Sequence, residues 1–309
     1  MDLAHGGNWL TIADLEIDFS NTSLMKISEQ QSTHNANTRS KWDYFATHRQ
    51  QTTKHICEAS HHVSGSQTKP TLAVLGAGNG NDLELKTIVQ SFSKIHLFDF
   101  DPVALEHLKS QQLTDPEISN SVVIEPPVDL SGVVSELESI PSTITEPSVV
   151  ELGNKTRAVE NVLPGRQFDV VASVCLTSQL MDTVVRSMGN DSPFKNYMMI
   201  AIRDGHLQLM EKLIRPGGAG VLVFDFVSSD TLPELVTAET EEAVLETARK
   251  AIDQRNFFTG ANPWSVKDAL GKLIVESSDQ PWTIAPPWRW RIGERRFYGV
   301  SCLGFSKPV

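Results

Sequence analysis

TLAVLGAGNGNDLEL, residues 71–85, runs an apolar stretch, Leu72 to Leu75, straight into Gly76, Gly78 and Gly80, and a helical pattern begins near Asp82. A continuous apolar run is how a strand buried on both faces reads, so the order is strand, glycine turn, helix. Glycines just past a strand let the backbone turn tightly and approach a ligand with no Cβ in the way. A helix starting there directs unpaired N–H groups at the same place. The next apolar strand, Lys94 to Phe98 in KIHLFDFDPVALEHL, ends in Asp99 and Asp101, where a carboxylate can accept hydrogen bonds from a ribose. Strand, glycines, helix, strand and acid form a nucleoside-binding half-fold. The dinucleotide fingerprint G-x-G-x-x-G needs a glycine at position 81, but Asn81 stands there and Gly80 gives G-x-G-x-G instead.

That pattern resembles motif I of the class I S-adenosylmethionine-dependent methyltransferases, and the likeness runs from the first strand to the C-terminus. What it implies is a Rossmann-like α/β fold: a seven-stranded, mostly parallel sheet with a C-terminal antiparallel hairpin, helices on both faces and an N-terminal helical extension. It implies S-adenosyl-L-methionine as the cofactor. The loop Gly76, Ala77, Gly78, Asn79 and Gly80 would lie under its methionine and ribose, with Asp99 on the ribose hydroxyls and Phe100 beside it. Many members carry an acid two positions before the first glycine; here that position is Val74, and Asp82 is the available replacement. In the family an acid past the third strand accepts from the adenine amino group, which points to Asp129, with Leu130 next to it. A helix N-cap before Ser131 is the competing role for Asp129.

The formal net charge of −11 opposes the phosphate attraction that supplies most nucleic-acid affinity, so a small molecule or a protein is the expected substrate. The fourth strand, FDVVASV from Phe168, also lacks at its end the Asn/Asp-Pro-Pro-aromatic motif of amino-directed nucleic-acid methyltransferases. Cys57, Cys175 and Cys302 are odd in number and far apart, which gives neither a disulfide framework nor zinc spacing. A reducing, cytoplasmic setting without a metal site is expected. No stretch approaches about 18 uninterrupted apolar residues, and the N-terminus lacks a basic region followed by an apolar core, so neither a membrane span nor an export signal is expected.

Two segments are expected: residues 1–69, a flexible arm plus a helix over about 41–59, and residues 70–309, which the resemblance implies are the methyltransferase-like domain. Within 1–39, EQQSTHNANTRS reads as mobile, and it is given no chemistry. Along 41–59, Trp42, Phe45, Arg49, Thr53 and Ile56 recur on one helical face. Arg49 on that face either snorkels to the sheet rim or reaches a cofactor carboxylate. The histidines at 34, 48, 55, 61 and 62 share no face and have no partners at ligand spacing.

At the carboxyl end of the fourth strand, Ser173, Cys175, Thr177, Ser178 and Gln179 fall where open α/β sheets bind ligands, while Cys175 reads as a small buried residue rather than a nucleophile. A long helix from about Lys195 to Ile214 carries His206 and ends in RPGG, expected as its C-cap; the fifth strand carries Asp225 near its end. His206 and Asp225 are the candidate bases, each with a structural role as its alternative. The C-terminus has the form of a hairpin, PWTIAPPWRWRI and RRFYGVSCLGF, with a turn at Gly293 and Glu294. Alternation along its first arm puts Trp288 and Trp290 on one face and Arg289 on the other, so an aromatic and a basic wall for a substrate are expected.

Methyl transfer from a sulfonium requires in-line placement of donor and nucleophile more than covalent help. The leading expectation is therefore a methyltransferase with an unidentified acceptor. A non-catalytic cofactor-binding or scaffold protein on the same fold and a nucleotide-dependent oxidoreductase are the alternatives.

Overall fold

β1 (Thr71–Leu75) is the apolar run ahead of the glycine loop, and Leu72 to Leu75 are all inaccessible to solvent. The computed structural model describes residues 26–65, 68–141, 144–274 and 283–309. Parallel to β1 lie β2 (Lys94–Phe98) and then β3 (Val122–Ile124) on one side, and β4 (Phe168–Val174) and then β5 (Ile214–Ser228) on the other. Three further strands, β6 (Thr283–Ile284), β7 (Trp288–Arg291) and β8 (Phe297–Ser306), complete the sheet. β8 runs antiparallel to β5 and pairs with both β6 and β7, in the order β3-β2-β1-β4-β5-β8-β6. Successive crossovers diverge between β1 and β4, which opens a crevice at their carboxyl ends.

The fold class is the one the sequence predicts, with eight described strands rather than seven. The difference lies at Pro286 and Pro287, which have no N–H to give β8 and split the first arm of the expected hairpin into β6 and β7. Part of that arm, residues 281 and 282, lies outside the described residues.

Side chains alternate between two cores. In β5, Val221 and Val223 face one side while Leu222 and Phe224 face the other. The first side is covered by α2 (Ala46–Ala59) and by the helices between β1 and β3: α3 (Leu85–Ile88), α4 (Pro102–Gln112) and α5 (Pro116–Ser121). The second is covered by α6 (Val134–Glu138), α7 (Glu146–Lys155), α8 (Leu176–Met188), α9 (Lys195–Leu213), α10 (Glu241–Asp253) and α11 (Pro263–Leu273). Ahead of α2, α1 (Ile27–Thr38) lies across the carboxyl edge of the sheet.

Three local expectations change. Residues 27–38, read as part of a mobile arm, form α1; residues 1–25 of that arm lie outside the described residues. The helix after the glycine loop begins at Leu85 rather than near Asp82 and makes a single turn, so its N-terminus supplies nothing to the loop. The RPGG sequence is not a C-cap, because Leu213 ends α9 and Arg215 to Gly218 already belong to β5. Gly218 permits that close approach: a Cβ there would meet the Asp169 carbonyl oxygen at 2.6 Å.

Candidate active site

The glycine loop gives each glycine a different task. Gly76 (φ +81°) passes the turn between β4 and α8, where a Cβ would come within 2.9 Å of Leu176 Cβ and 3.2 Å of the Val174 carbonyl oxygen. Gly80 (φ +72°) packs on α4, and a Cβ there would press on Leu108. Gly78 (φ +48°) has open space on the crevice side, its nearest prospective neighbour being Asn35 Oδ1 at 3.7 Å. A side chain at Gly78 would therefore occupy ligand space and also strain the backbone.

Two cavities meet at this loop. The larger, about 100 Å³, has Asp82, Asp99 and Asp225 in its lining together with Phe45, Trp290 and Tyr298. The smaller, about 40 Å³, is apolar, with Phe100, Val128, Leu130 and Leu176 in its lining and Asp129 at its edge. Gly76, Asp99, Gln31 and Gln179 border both. Between them, Gln31 Nε2 of α1 donates to Gln179 Oε1 of α8 at 2.8 Å. α1 is further tied down by Asn35 Nδ2 to Asp101 Oδ2 (2.9 Å), by Asn79 Nδ2 to the Asn35 carbonyl (2.6 Å), and by Asn81 Nδ2 to the Thr38 carbonyl (2.8 Å).

Asp99 sits at the junction. Its Oδ2 accepts the Gly78 N–H at 2.8 Å and its Oδ1 the Asp101 N–H at 2.9 Å. Burial nevertheless outweighs these bonds and pushes its pKa up to about 6. Asp101, two residues on, caps α4 through the Val103 N–H and also holds Asn35, so one turn of chain ties β2, α4 and α1 together.

Behind the larger cavity stands a chain of partners that no local spacing announces. The indole N–H of Trp288 donates to His48 Nδ1 at 3.0 Å, which leaves the ring proton on Nε2. That Nε2 lies 3.1 Å from Asp82 Oδ1, an electrostatic contact that is not aligned as a hydrogen bond, and 3.8 Å from Cys175 Sγ. His48 also stacks on Trp290, with centroids 4.4 Å apart. Asp225 accepts from Ser178 Oγ at 2.6 Å, and burial raises its pKa to about 6. The Tyr298 hydroxyl and the Trp290 Nε1 are buried without partners, as are the side-chain carbonyls of Asn79 and Asn81. Among the described residues, no lysine or arginine lines either cavity.

No family model and no curated protein matches this sequence. Solved structures do resemble it in chain path. One is the N-methyltransferase NodS from Bradyrhizobium japonicum WM9 with S-adenosyl-l-homocysteine, at TM-score 0.49 and 11% identity over 92% of this chain and all (100%) of that one. Another is a putative S-adenosylmethionine-dependent methyltransferase from Methanococcus maripaludis, at TM-score 0.44 and 13% identity over 92% and 95% of the two chains. A third is the glycopeptide N-methyltransferase MtfA with S-adenosyl-L-methionine, at TM-score 0.40 and 10% identity over 83% and 94%. Likenesses at this level leave ligand and activity to be decided by the site itself.

The residues picked out from sequence divide cleanly by place. Gly76, Gly78, Asn79, Asp82, Asp99, Asp225 and Trp290 come together on the larger cavity, and Phe100, Asp129 and Leu130 on the smaller. Asp129 is engaged as a cap: it accepts from the N–H groups of Ser131 and Val134 and from the Ser131 hydroxyl. Ala77 and Gly80 support the loop from behind. Ser173 and His206 form a separate buried pair, Oγ to Nε2 at 2.7 Å, away from both cavities; burial drives the His206 pKa down to about 4. Cys175 is buried, in left-handed conformation (φ 47°) just before α8, and burial holds its thiol well above its usual range.

Arg49 is spent on the protein. Its guanidinium lies 3.5 Å over the Trp42 ring and donates to the carbonyls of Trp42 and Asn81, bracing the glycine loop from outside. Arg289 donates to the Leu235 and Val236 carbonyls and stacks on Phe297, so the expected basic wall does not reach the crevice. Trp288 stands behind His48 rather than on the cavity. The residues that sequence reading missed are His48 and Tyr298, together with α1; Ser178 and Gln179 lie at the β4 end where ligands are expected.

Proposed function

We propose that this chain is an S-adenosylmethionine-dependent methyltransferase acting on a small molecule or a protein. The observation that carries the reading is Asp99, buried at the end of β2, bonded to the Gly78 N–H and shared by an apolar and an acidic cavity. A ligand spanning both needs a flat apolar end, a hydroxylated middle and a cationic end. Adenosylmethionine has that order of parts, with a carboxylate beside its ammonium, and the donor set suits its nucleoside and its cation. Phe100 and Leu130 would wall the apolar end, Asp99 would take the diol, and Asp82 with the unpartnered carbonyls of Asn79 and Asn81 would meet the cation. The space that a Cβ at Gly78 would fill is left to the ligand backbone.

When bound, the cofactor supplies an activated methyl on a positively charged sulfur. The chain's share is to hold that methyl in line with an acceptor and to exclude water, which α1 does by covering the crevice. A reducing cytoplasmic setting belongs to the same proposal, supported by Cys57, Cys175 and Cys302 all being free thiols.

Calorimetry with S-adenosylhomocysteine and with NADH tests the reading: the first should bind and the second should not. Asp99→Asn should weaken homocysteine-nucleoside binding about tenfold or more, since a charge-assisted bond is worth roughly 1.5–3 kcal/mol. Equal affinity in the variant would reject the site. A non-catalytic cofactor-binding or scaffold protein on the same fold is the second reading, because Val74 stands where the resemblance expects an acid for the cofactor's amino group. Conversion of S-adenosylmethionine to its demethylated product in the presence of cell extract separates the two.

A further inference from the structure

On the acceptor side of the larger cavity, beyond the glycine loop, stand Asp225, Trp290 and Tyr298. Asp225 comes from the end of β5, Tyr298 from the start of β8 and Trp290 from β7, so three strands converge on one small space. Their chemistry is specific. Asp225 Oδ1 already takes the Ser178 hydroxyl, and no cation among the described lining residues neutralises the carboxylate. Tyr298 is 2% exposed, and its hydroxyl has no partner; nor does the Trp290 indole N–H. A buried donor without a partner costs about 1–3 kcal/mol in general, and both rings line this cavity, so a ligand oxygen that reached them would relieve that cost. The aromatic faces of Trp290, Tyr298 and Phe45 favour a cation beside them.

We infer that the methyl acceptor is an amine that also carries a neutral oxygen, such as an amino amide or amino alcohol, with its ammonium on Asp225 and its oxygen on Tyr298 and Trp290. This rests on the methyltransferase reading above. No lysine or arginine among the described lining residues is placed to pair with a carboxylate on the acceptor, and the basic wall expected from Arg289 does not reach the cavity. The step balances. One ammonium proton passes to the Asp225 carboxylate; the nitrogen lone pair then forms the N–C bond while the C–S bond breaks and leaves its pair on sulfur. The product is a methylated ammonium, and Asp225 gives its proton back to solvent as the site opens. Burial, which makes Asp225 more basic than an ordinary aspartate, favours the first transfer.

The test uses the full chain and three small probes of one shape: alaninamide, propionamide and alanine. Each is titrated with and without saturating S-adenosylhomocysteine, and Kd is read from ligand line broadening. Alaninamide should bind at least about tenfold more tightly than propionamide, which lacks the amine, and than alanine, which adds a carboxylate. Asp225→Asn should remove that preference, and Trp290→Phe, which keeps the ring and loses the N–H, should weaken both amides alike. The inference is overturned if no probe binds, if propionamide or alanine binds as well as alaninamide, or if Asp225→Asn leaves the preference intact. Failure of S-adenosylhomocysteine to bind would instead sink the methyltransferase reading, and the probe series on the free chain would still decide the amine preference.

Discussion

Asp225 is a carboxylate that the fold holds against its own interest, with only Ser178 as a side-chain hydrogen-bond partner among the described residues. Its folded pKa of about 6 lies above the unfolded value, so the folded chain binds the proton more tightly. The resulting contribution to stability is full below about pH 4 and is lost as pH rises through 6; roughly two units correspond to about 3 kcal/mol. Asparagine keeps the acceptor for Ser178 and cannot ionise. Asp225→Asn should therefore unfold later in urea than the parent at pH 7.5, by about 2 kcal/mol, with the gain shrinking towards zero near pH 4. A gain that does not vary with pH would mean that the carboxylate is not desolvated. His206 works in the opposite sense: its folded pKa of about 4 lies below the ordinary value, so its stability is present above about 6.5 and is lost as pH falls through 4. Comparing variant with parent at each pH cancels this second slope.

α1 shows why part of the site was hidden in the sequence. Its docking is made almost wholly by amides and a threonine: Gln31, Asn35 and Thr38 bond to Gln179, Asp101, Asn79 and Asn81. Only Ile27 and Asn35 are buried, so the segment has no apolar stripe and reads as polar arm. β1 was legible for the opposite reason, since a strand buried on both faces reads as a continuous apolar run, and the Val221–Phe224 stretch of β5 reads the same way. Ligand pockets are typically on the order of 300–1,000 Å³, well above what α1 leaves open, so α1 must lift to admit a cofactor. Amides in residues 27–38 should therefore exchange with solvent through a local opening far cheaper than that of β1 and β4. Adding S-adenosylhomocysteine should slow exchange in α1 selectively. Equal protection of α1 and β1 in the free chain would contradict the opening, as would Asn35→Ala leaving the ligand's association rate unchanged.

At the scale of the whole molecule, the site's partners come from remote parts of the chain, and this sets what any local reading can find. His48, Asp82, Asp225 and Trp288 occupy four different elements or loops, and the His48–Trp288 bond joins positions 240 residues apart. Glycine spacing and the acid after β2 announce the cofactor end because the fold builds that end from one continuous strand–loop–strand unit. The acceptor end is assembled by sheet closure, and there the pair prediction from strand alternation placed Trp290 on the crevice but could not see that Arg289 is claimed by the Leu235 and Val236 carbonyls. The same assembly concentrates charge. A chain of net −11 carries three aspartates on a low-dielectric cavity with no lining lysine or arginine among the described residues, so its field attracts cations well beyond contact distance. S-adenosylmethionine carries one more positive charge than S-adenosylhomocysteine and is otherwise nearly the same shape. Its association rate should therefore fall severalfold between about 20 and 200 mM salt, as the Debye length shortens to within the cavity's own dimensions, while that of the homocysteine form should hardly change. Stopped-flow quenching of Trp290 gives both rates on one sample. Identical salt dependence for the two ligands would mean that the carboxylates are neutralised before the ligand arrives, and with it the case for a cation-selective site would fall.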